Sequence, residues 1–130
     1  KKGIAQTLNL GVYLKSKIDT VELWCSDSVR TRETLESISK ACVFSQPKYL
    51  IDIYLCSKQD LLHHIWKRKS NDDLLIIGHN FGISDLLSYF VDDSIEMSTS
   101  EYYCIDFGAL VSSETSKSTG VIVDQYRPQV

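Results

Sequence analysis

The sequence predicts an α/β domain: a three-layer α/β/α sandwich around a mostly parallel sheet with an antiparallel edge. Three observations carry that expectation. Helical and strand-like patterns alternate through residues 3–90, the order that produces parallel crossovers. The run Leu74-Leu75-Ile76-Ile77 is too short for a helix and suits a strand buried on both faces. After Asp92-Asp93 no helical segment separates the last two strand-like stretches, so these should be antiparallel neighbours.

Residues 3–17 carry Ile4, Leu8, Val12 and Leu14 on a loosely helical period, with Gly11 inside. A glycine there costs about 1 kcal/mol against alanine, which a close helix–sheet contact would offset. Val21 to Cys25 reads as a strand. Ser26-Asp27-Ser28 can cap a helix, and Val29 to Ala41 is that helix. Lys48 to Ile51 is a short strand after Pro47. Lys58 to Lys67 is a helix with Leu61, Leu62, Ile65 and Trp66 on its apolar side, and Lys67-Arg68-Lys69 reads as a last turn matched to the dipole. Ser70 to Asp73 is a loop, Leu74 to Ile77 a strand and Ile83 to Phe90 a helix. Glu101 to Phe107 and Gly120 to Gln125 are the final strands, joined by a polar connection over Ser112 to Thr119.

Residues 1–130 read as one domain with enough chain for a core. The net charge of −3 argues against a nucleic-acid binder, which would show a basic face. No run approaches the apolar length of a membrane span, and no secretory signal is visible. Cys25, Cys42, Cys56 and Cys104 lie 17, 14 and 48 residues apart. This spacing holds no CxxC motif and no metal site. They read as reduced thiols in a cytoplasmic protein. The chain opens without methionine on Lys1-Lys2-Gly3-Ile4, already helix-like, and is expected to be a piece of a longer one.

Two strand-to-helix junctions carry the chemistry. In Ile77-Gly78-His79-Asn80, Gly78 permits a tight turn, and His79 falls at the carboxyl end of a strand facing the next helix. Open parallel sheets bind ligands at that edge, and a helix N-terminus there favours an anion. In Cys25-Ser26-Asp27-Ser28-Val29-Arg30-Thr31-Arg32, both arginines fall in a first helical turn, where positive charge opposes the macrodipole. A bound anion would remove the penalty, and the guanidinium fork suits phosphate oxygens. The other reading leaves both solvated, with Arg32 paired to Glu36. Arg30 is the functional candidate, and Arg32 is expected to reach solvent. His63 and His64 lie mid-helix without metal spacing and read as structural or surface residues. If the two junction strands are neighbours, Arg30 and His79 form a cationic cup suited to a phosphoryl group.

At these residues the chain resembles the histidine phosphatase superfamily, which has the phosphoglycerate mutase-like fold, and most closely its SixA-type phosphohistidine phosphatases. Cys25 to Thr34 is similar to the family's Ser-Ser-Pro-x-x-Arg-x-x-x-Thr turn. Asp52 to Cys56 is similar to its Leu-Tyr-x-Ala block, and Leu74 to Leu87 to its Val-Gly-His-Asn-Pro-Gly segment. Ser98-Thr99-Ser100 resembles the Pro-Thr-Gly block, and Tyr126-Arg127-Pro128 the closing Arg-Pro. Asp27 and Phe81 stand where the family has proline.

The resemblance implies a phosphatase that passes through a covalent phosphohistidine and needs no metal or organic cofactor. Arg30 matches the family's second arginine and His79 its second histidine. Ser26, Asn80 and Thr99 fall at phosphate-lining positions, and Asp52 is the candidate general acid. Relatives acting on esters place a glutamate near the Asp52 block, where Tyr54-Leu55 stands here. A phosphoramidate needs less acid help, since imidazole leaves well once protonated. The implied partner is a protein carrying phosphohistidine. Alternatives are a small phosphate ester, or a relative that binds phosphate without turnover. The family's nucleophile sits in an Arg-His-Gly or Arg-His-Ala motif on a first strand with no counterpart here. That segment is expected upstream of Lys1, and its loss should leave a gap in the sheet.

Overall fold

The computed structural model describes residues 2–18, 21–42, 44, 47–50, 58–70, 72–78, 82–98 and 100–128, with side chains from residue 5 onward. Four α-helices and five strands follow in the order α1 (Lys2–Lys15), β1 (Val21–Ser26), α2 (Val29–Ser39), β2 (Lys48–Leu50), α3 (Lys58–Trp66), β3 (Asp73–Ile77), α4 (Gly82–Val91), β4 (Tyr102–Asp106) and β5 (Val121–Tyr126). A 3-10 turn spans Ser112–Glu114.

The parallel ladder runs β2-β1-β3. Its register pairs Cys25 with both Tyr49 and Ile77. Period-2 alternation then sorts the apolar residues onto two faces. Trp24, Leu74 and Ile76 meet Leu61, Leu62, Ile65, Leu86 and Phe90 of α3 and α4. On the opposite face Leu23, Cys25, Leu75 and Ile77 meet Leu35 of α2. Beside them Leu10 and Leu14 of α1 pack on Ile38 and Cys42. This is the three-layer arrangement, with α1 and α2 on one side and α3 and α4 on the other. Strands β4 and β5 pair antiparallel, as expected. They feed both cores, Ile105 and Phe107 into one and Tyr102 and Tyr126 into the other.

The structure revises several local expectations. The antiparallel pair forms its own two-stranded ladder, separate from the parallel one among the described residues. Leu74 to Ile77 are half-buried rather than buried on both faces, because β3 is, among the described residues, an outer strand of its ladder. Gly11 serves a helix–helix contact, not a helix–sheet one. A Cβ there would stand 2.7 Å from the Ile38 carbonyl oxygen of α2, so glycine is what lets the two helices meet.

Arg68 is not a dipole-matching cation on a last turn. Helix α3 ends at Trp66, and Arg68 folds back, nearly buried, to bond Glu22 Oε1 at 2.7 Å. Its other nitrogens donate to Ser112 Oγ and to the Asp72 carbonyl. Glu22 also accepts from Trp24 Nε1 at 2.8 Å and from Lys48 Nζ at 3.2 Å. This network ties the amino end of β1 to the starts of β2 and β3. Burial pushes the Glu22 carboxyl pKa up, but bonds from Arg68, Trp24 and Lys48 outweigh that and lower it from 4.5 to about 2. A depressed carboxylate stabilises fully above its unfolded value and loses that contribution as pH falls through the folded one. Stability should therefore decline from pH 4.5 toward about 2. Chemical denaturation across that range should show a flatter profile for Glu22→Gln, with lower stability than wild type at pH 7.

Candidate active site

The carboxyl ends of β1 and β3 lie side by side. Their last register pair is Cys25 with Ile77, so Ser26 and Gly78 each stand one residue beyond it. Neighbouring strands are about 4.8 Å apart. From β1 the chain turns into α2 through a capping box. Ser28 Oγ accepts from the Thr31 amide at 3.2 Å, and Thr31 Oγ1 accepts from the Ser28 amide at 3.2 Å. Thr31 also donates to the Ser26 carbonyl, locking the turn to the strand end. Ser28 is thus the residue that caps α2.

Ser26 is fully buried, yet its Oγ has no hydrogen-bond partner. A buried hydroxyl without a partner costs about 1–3 kcal/mol. It is an orphan donor at the strand end. Cys25, its neighbour, is a fully buried free thiol. Burial pushes its pKa up, so it stays protonated and offers no nucleophile.

The two arginines of α2 separate as the sequence suggests. Arg32 is exposed, as expected, and pairs with Asp27 rather than with Glu36. Its Nε bonds Asp27 Oδ1 at 2.6 Å, and its guanidinium lies 3.8 Å from the Tyr49 ring centroid on β2. Asp27 raises the Arg32 pKa further. Arg30 is exposed and makes no ion pair among the described residues. No acidic residue stands in the first turn of α2. Residues two apart on a helix point about 200° apart. Arg32 leans toward β2, and Arg30 lies on a different side of α2. Among the described residues the first turn of α2 thus keeps one cation without an ion pair, beside a helix N-terminus that favours an anion.

His79, Asn80, Asp52 and Thr99 lie outside the described residues. Their described flanks close on the same rim. Gly78 follows the last residue of β3, and Gly82 opens α4. The chain after α4 runs back along that helix: Ile95 N donates to Ser88 Oγ, and Met97 N to Ser84 Oγ, both at 2.9 Å. That path carries Ser98 and Ser100 to the N-terminal end of α4. Ser100 Oγ lies 3.1 Å from Thr7 Oγ1 of α1.

Sequence reasoning missed Glu101. Its almost wholly buried carboxylate accepts from the Ser98 amide at 2.5 Å and from Arg127 Nε at 2.6 Å. It joins the Ser98 block to the Arg127 block. The signal was present once register is known. Tyr102 pairs with Tyr126, which sets opposite charges at 101 and 127 across the strands. Of the two histidines read as structural or surface residues, His63 is exposed beside the Trp66 ring and His64 is half-buried beside the Trp24 ring. No cluster of metal-ligating side chains occurs among the described residues.

Solved structures share this fold over nearly the whole chain. The proposed phosphohistidine phosphatase SixA from Nakamurella multipartitia matches with a TM-score of 0.85 at 15% identity, over 99% of this chain and 83% of its own. The chain has the SixA fold. The protein histidine phosphatase SixA complexed with tungstate matches at 0.76 and 16% identity, over 94% of this chain and 78% of its own. The proposed phosphohistidine phosphatase SixA from Agrobacterium tumefaciens matches at 0.79 and 15% identity, over 96% and 79%. No family model and no curated protein matches the sequence. The SixA fold supplies the three-layer scaffold, while the chemistry of the rim rests on this chain's own residues.

The orphan hydroxyl gives a direct check. Ser26→Ala removes an unsatisfied buried group, so the free protein should melt at the same temperature or higher. Its affinity for orthovanadate should fall, because the donor is gone. Thermal melts with and without orthovanadate separate the two effects. A lower melting temperature with unchanged vanadate stabilisation would mean that Ser26 is only structural.

Proposed function

We propose that this protein is a phosphohistidine phosphatase that removes phosphate from a histidine of a protein. The observation that supports the reading is a buried Ser26 hydroxyl without a partner and an Arg30 without an ion pair, among the described residues, at one strand end. This is a site built for an oxyanion. His79 follows Gly78 in the sequence and is assigned, with Arg30, as the second clamp on the phosphoryl oxygens. Asn80 and Thr99 are assigned to the lining. That one SixA neighbour is a tungstate complex, holding a tetrahedral oxyanion, supports the same reading. The free thiols fit a reducing, cytoplasmic setting.

The reaction has two displacements. A histidine nitrogen attacks phosphorus as the bond to the substrate imidazole breaks, and the departing ring takes a proton. Water then attacks the enzyme phosphohistidine, releasing phosphate and restoring the ring. Through both steps the equatorial oxygens bear the charge. Arg30, the Ser26 hydroxyl and His79 stabilise it without having to reorganise. Asp52 is assigned the proton transfer, a light duty because a protonated imidazole leaves readily. The chain has three histidines. His63 and His64 sit on α3 against tryptophans, and His79 is used as a clamp. On this reading none of these three is the attacking histidine.

The test uses the full-length gene product on a phosphohistidine peptide and on p-nitrophenyl phosphate. The peptide should be preferred, and His79→Ala should cut its turnover by about 10²- to 10⁴-fold. Preference for the ester would reassign the substrate to a small phosphate ester. Vanadate binding with no turnover of either would leave a phosphate-binding module.

A further inference from the structure

Helices α3 and α4 enclose a second feature, away from the phosphate cup. Because α3 returns from the carboxyl end of β2 to the start of β3, its first residue, Lys58, stands at the site's rim. Asp85 lies in the first turn of α4, which starts at the same rim. From there a cleft of about 500 Å³ runs down the outside of α4, lined by Lys58, Gln59, Asp85, Ser88, Tyr89 and Lys117.

One cation of this cleft is held by a ring and the other stands on an anchored turn. Lys58 Nζ sits 4.7 Å from the Tyr89 ring centroid, a contact that orients an ammonium without neutralising it. Lys117 rides on a turn closed by Thr119, whose Oγ1 accepts from the Ser116 amide at 2.9 Å and donates to the Ser116 carbonyl at 2.6 Å. Backbone bonds pin that turn to the end of α4, from Ser118 N to the Tyr89 carbonyl at 3.0 Å and from Gly120 N to the Phe90 carbonyl at 2.9 Å. Among the described residues neither ammonium pairs with a carboxylate, and Asp85 pairs with no cation. The lining thus carries two positive groups against one negative, in a chain of net charge −3. The cleft is open to solvent, which suits a docked chain better than an enclosed small molecule.

We propose that this cleft docks an acidic segment of the phosphorylated protein, a stretch of Asp and Glu leaving the phosphate cup along α4. The identity of the partner rests on the phosphatase reading; the chemistry of the cleft does not. Complementary charge at such a surface speeds encounter and selects partners, and it weakens with salt.

The test is fluorescence anisotropy of a labelled hexaglutamate peptide with the full-length protein. Wild type should bind at about 20 mM NaCl and release the peptide near 300 mM. The double reversal Lys58→Glu with Lys117→Glu should weaken binding about tenfold, and Asp85→Asn should tighten it about two- to threefold. A matched reversal on the other face, Lys15→Glu with Lys40→Glu, should leave affinity near wild type. Arg30→Ala should also leave it unchanged while removing vanadate binding. Peptide affinity that ignores the Lys58 and Lys117 reversal, or that falls equally with Lys15 and Lys40, overturns the docking surface. A protein that binds peptide through the cleft yet hydrolyses no phosphohistidine keeps the surface and loses the phosphatase reading.

Discussion

Register between two parallel strands is the constraint on which the rest depends. Strands β1 and β3 stay paired from Val21–Asp73 to Cys25–Ile77 without a shift. A slip of one residue would move every side chain to the other face. Trp24 and Ile76 would leave the α3–α4 core, and Leu23, Cys25 and Ile77 would leave the α1–α2 core. Both cores oppose that slip, so packing far from the rim fixes what happens at it. The two strands end level, and each hands the chain to a helix at the same height.

That arrangement concentrates features that a fold without a ligand would avoid. Among the described residues a buried hydroxyl lacks a partner, a first helical turn lacks an acid, and a cation there lacks an ion pair. Each is unfavourable alone, and on the proposed reading one oxyanion would relieve all three. Bonds elsewhere fix the surrounding elements. The Glu22–Arg68 network gathers the amino ends of the strands. The Glu101–Arg127 pair holds the segment around Ser98 and Ser100. Tyr13 of α1 donates to Asp124 Oδ1 of β5 at 2.6 Å and fastens the outer helix to the second ladder.

Much of this was legible in the sequence, where local pattern decides structure. The alternating elements, the parallel crossover, the antiparallel last pair and the serine cap all follow from short-range chemistry. Arg30 stood out because its charge is wrong for its place on a helix. What could not be read depends on contacts distant in sequence. Arg68 looked like a dipole-matching cation until Glu22, Ser112 and the Asp72 carbonyl claimed it. Gly11 looked like a helix–sheet contact until the Ile38 backbone met it. Arg32 found Asp27 and Tyr49 rather than Glu36, because a ring across the strand holds a guanidinium better than a mobile pair one turn away. Glu101 needed the β4–β5 register before its partner could be named.

The central claim is spatial: Arg30 and His79 share one oxyanion with the Ser26 hydroxyl at the end of β1. A crystal structure of the full-length protein grown with tungstate tests it most directly. The account predicts one tungstate with oxygens about 2.7–3.2 Å from the Arg30 guanidinium, the Ser26 Oγ and the His79 imidazole. A tungstate bound elsewhere, or Arg30 and His79 on opposite sides of the sheet, would contradict it.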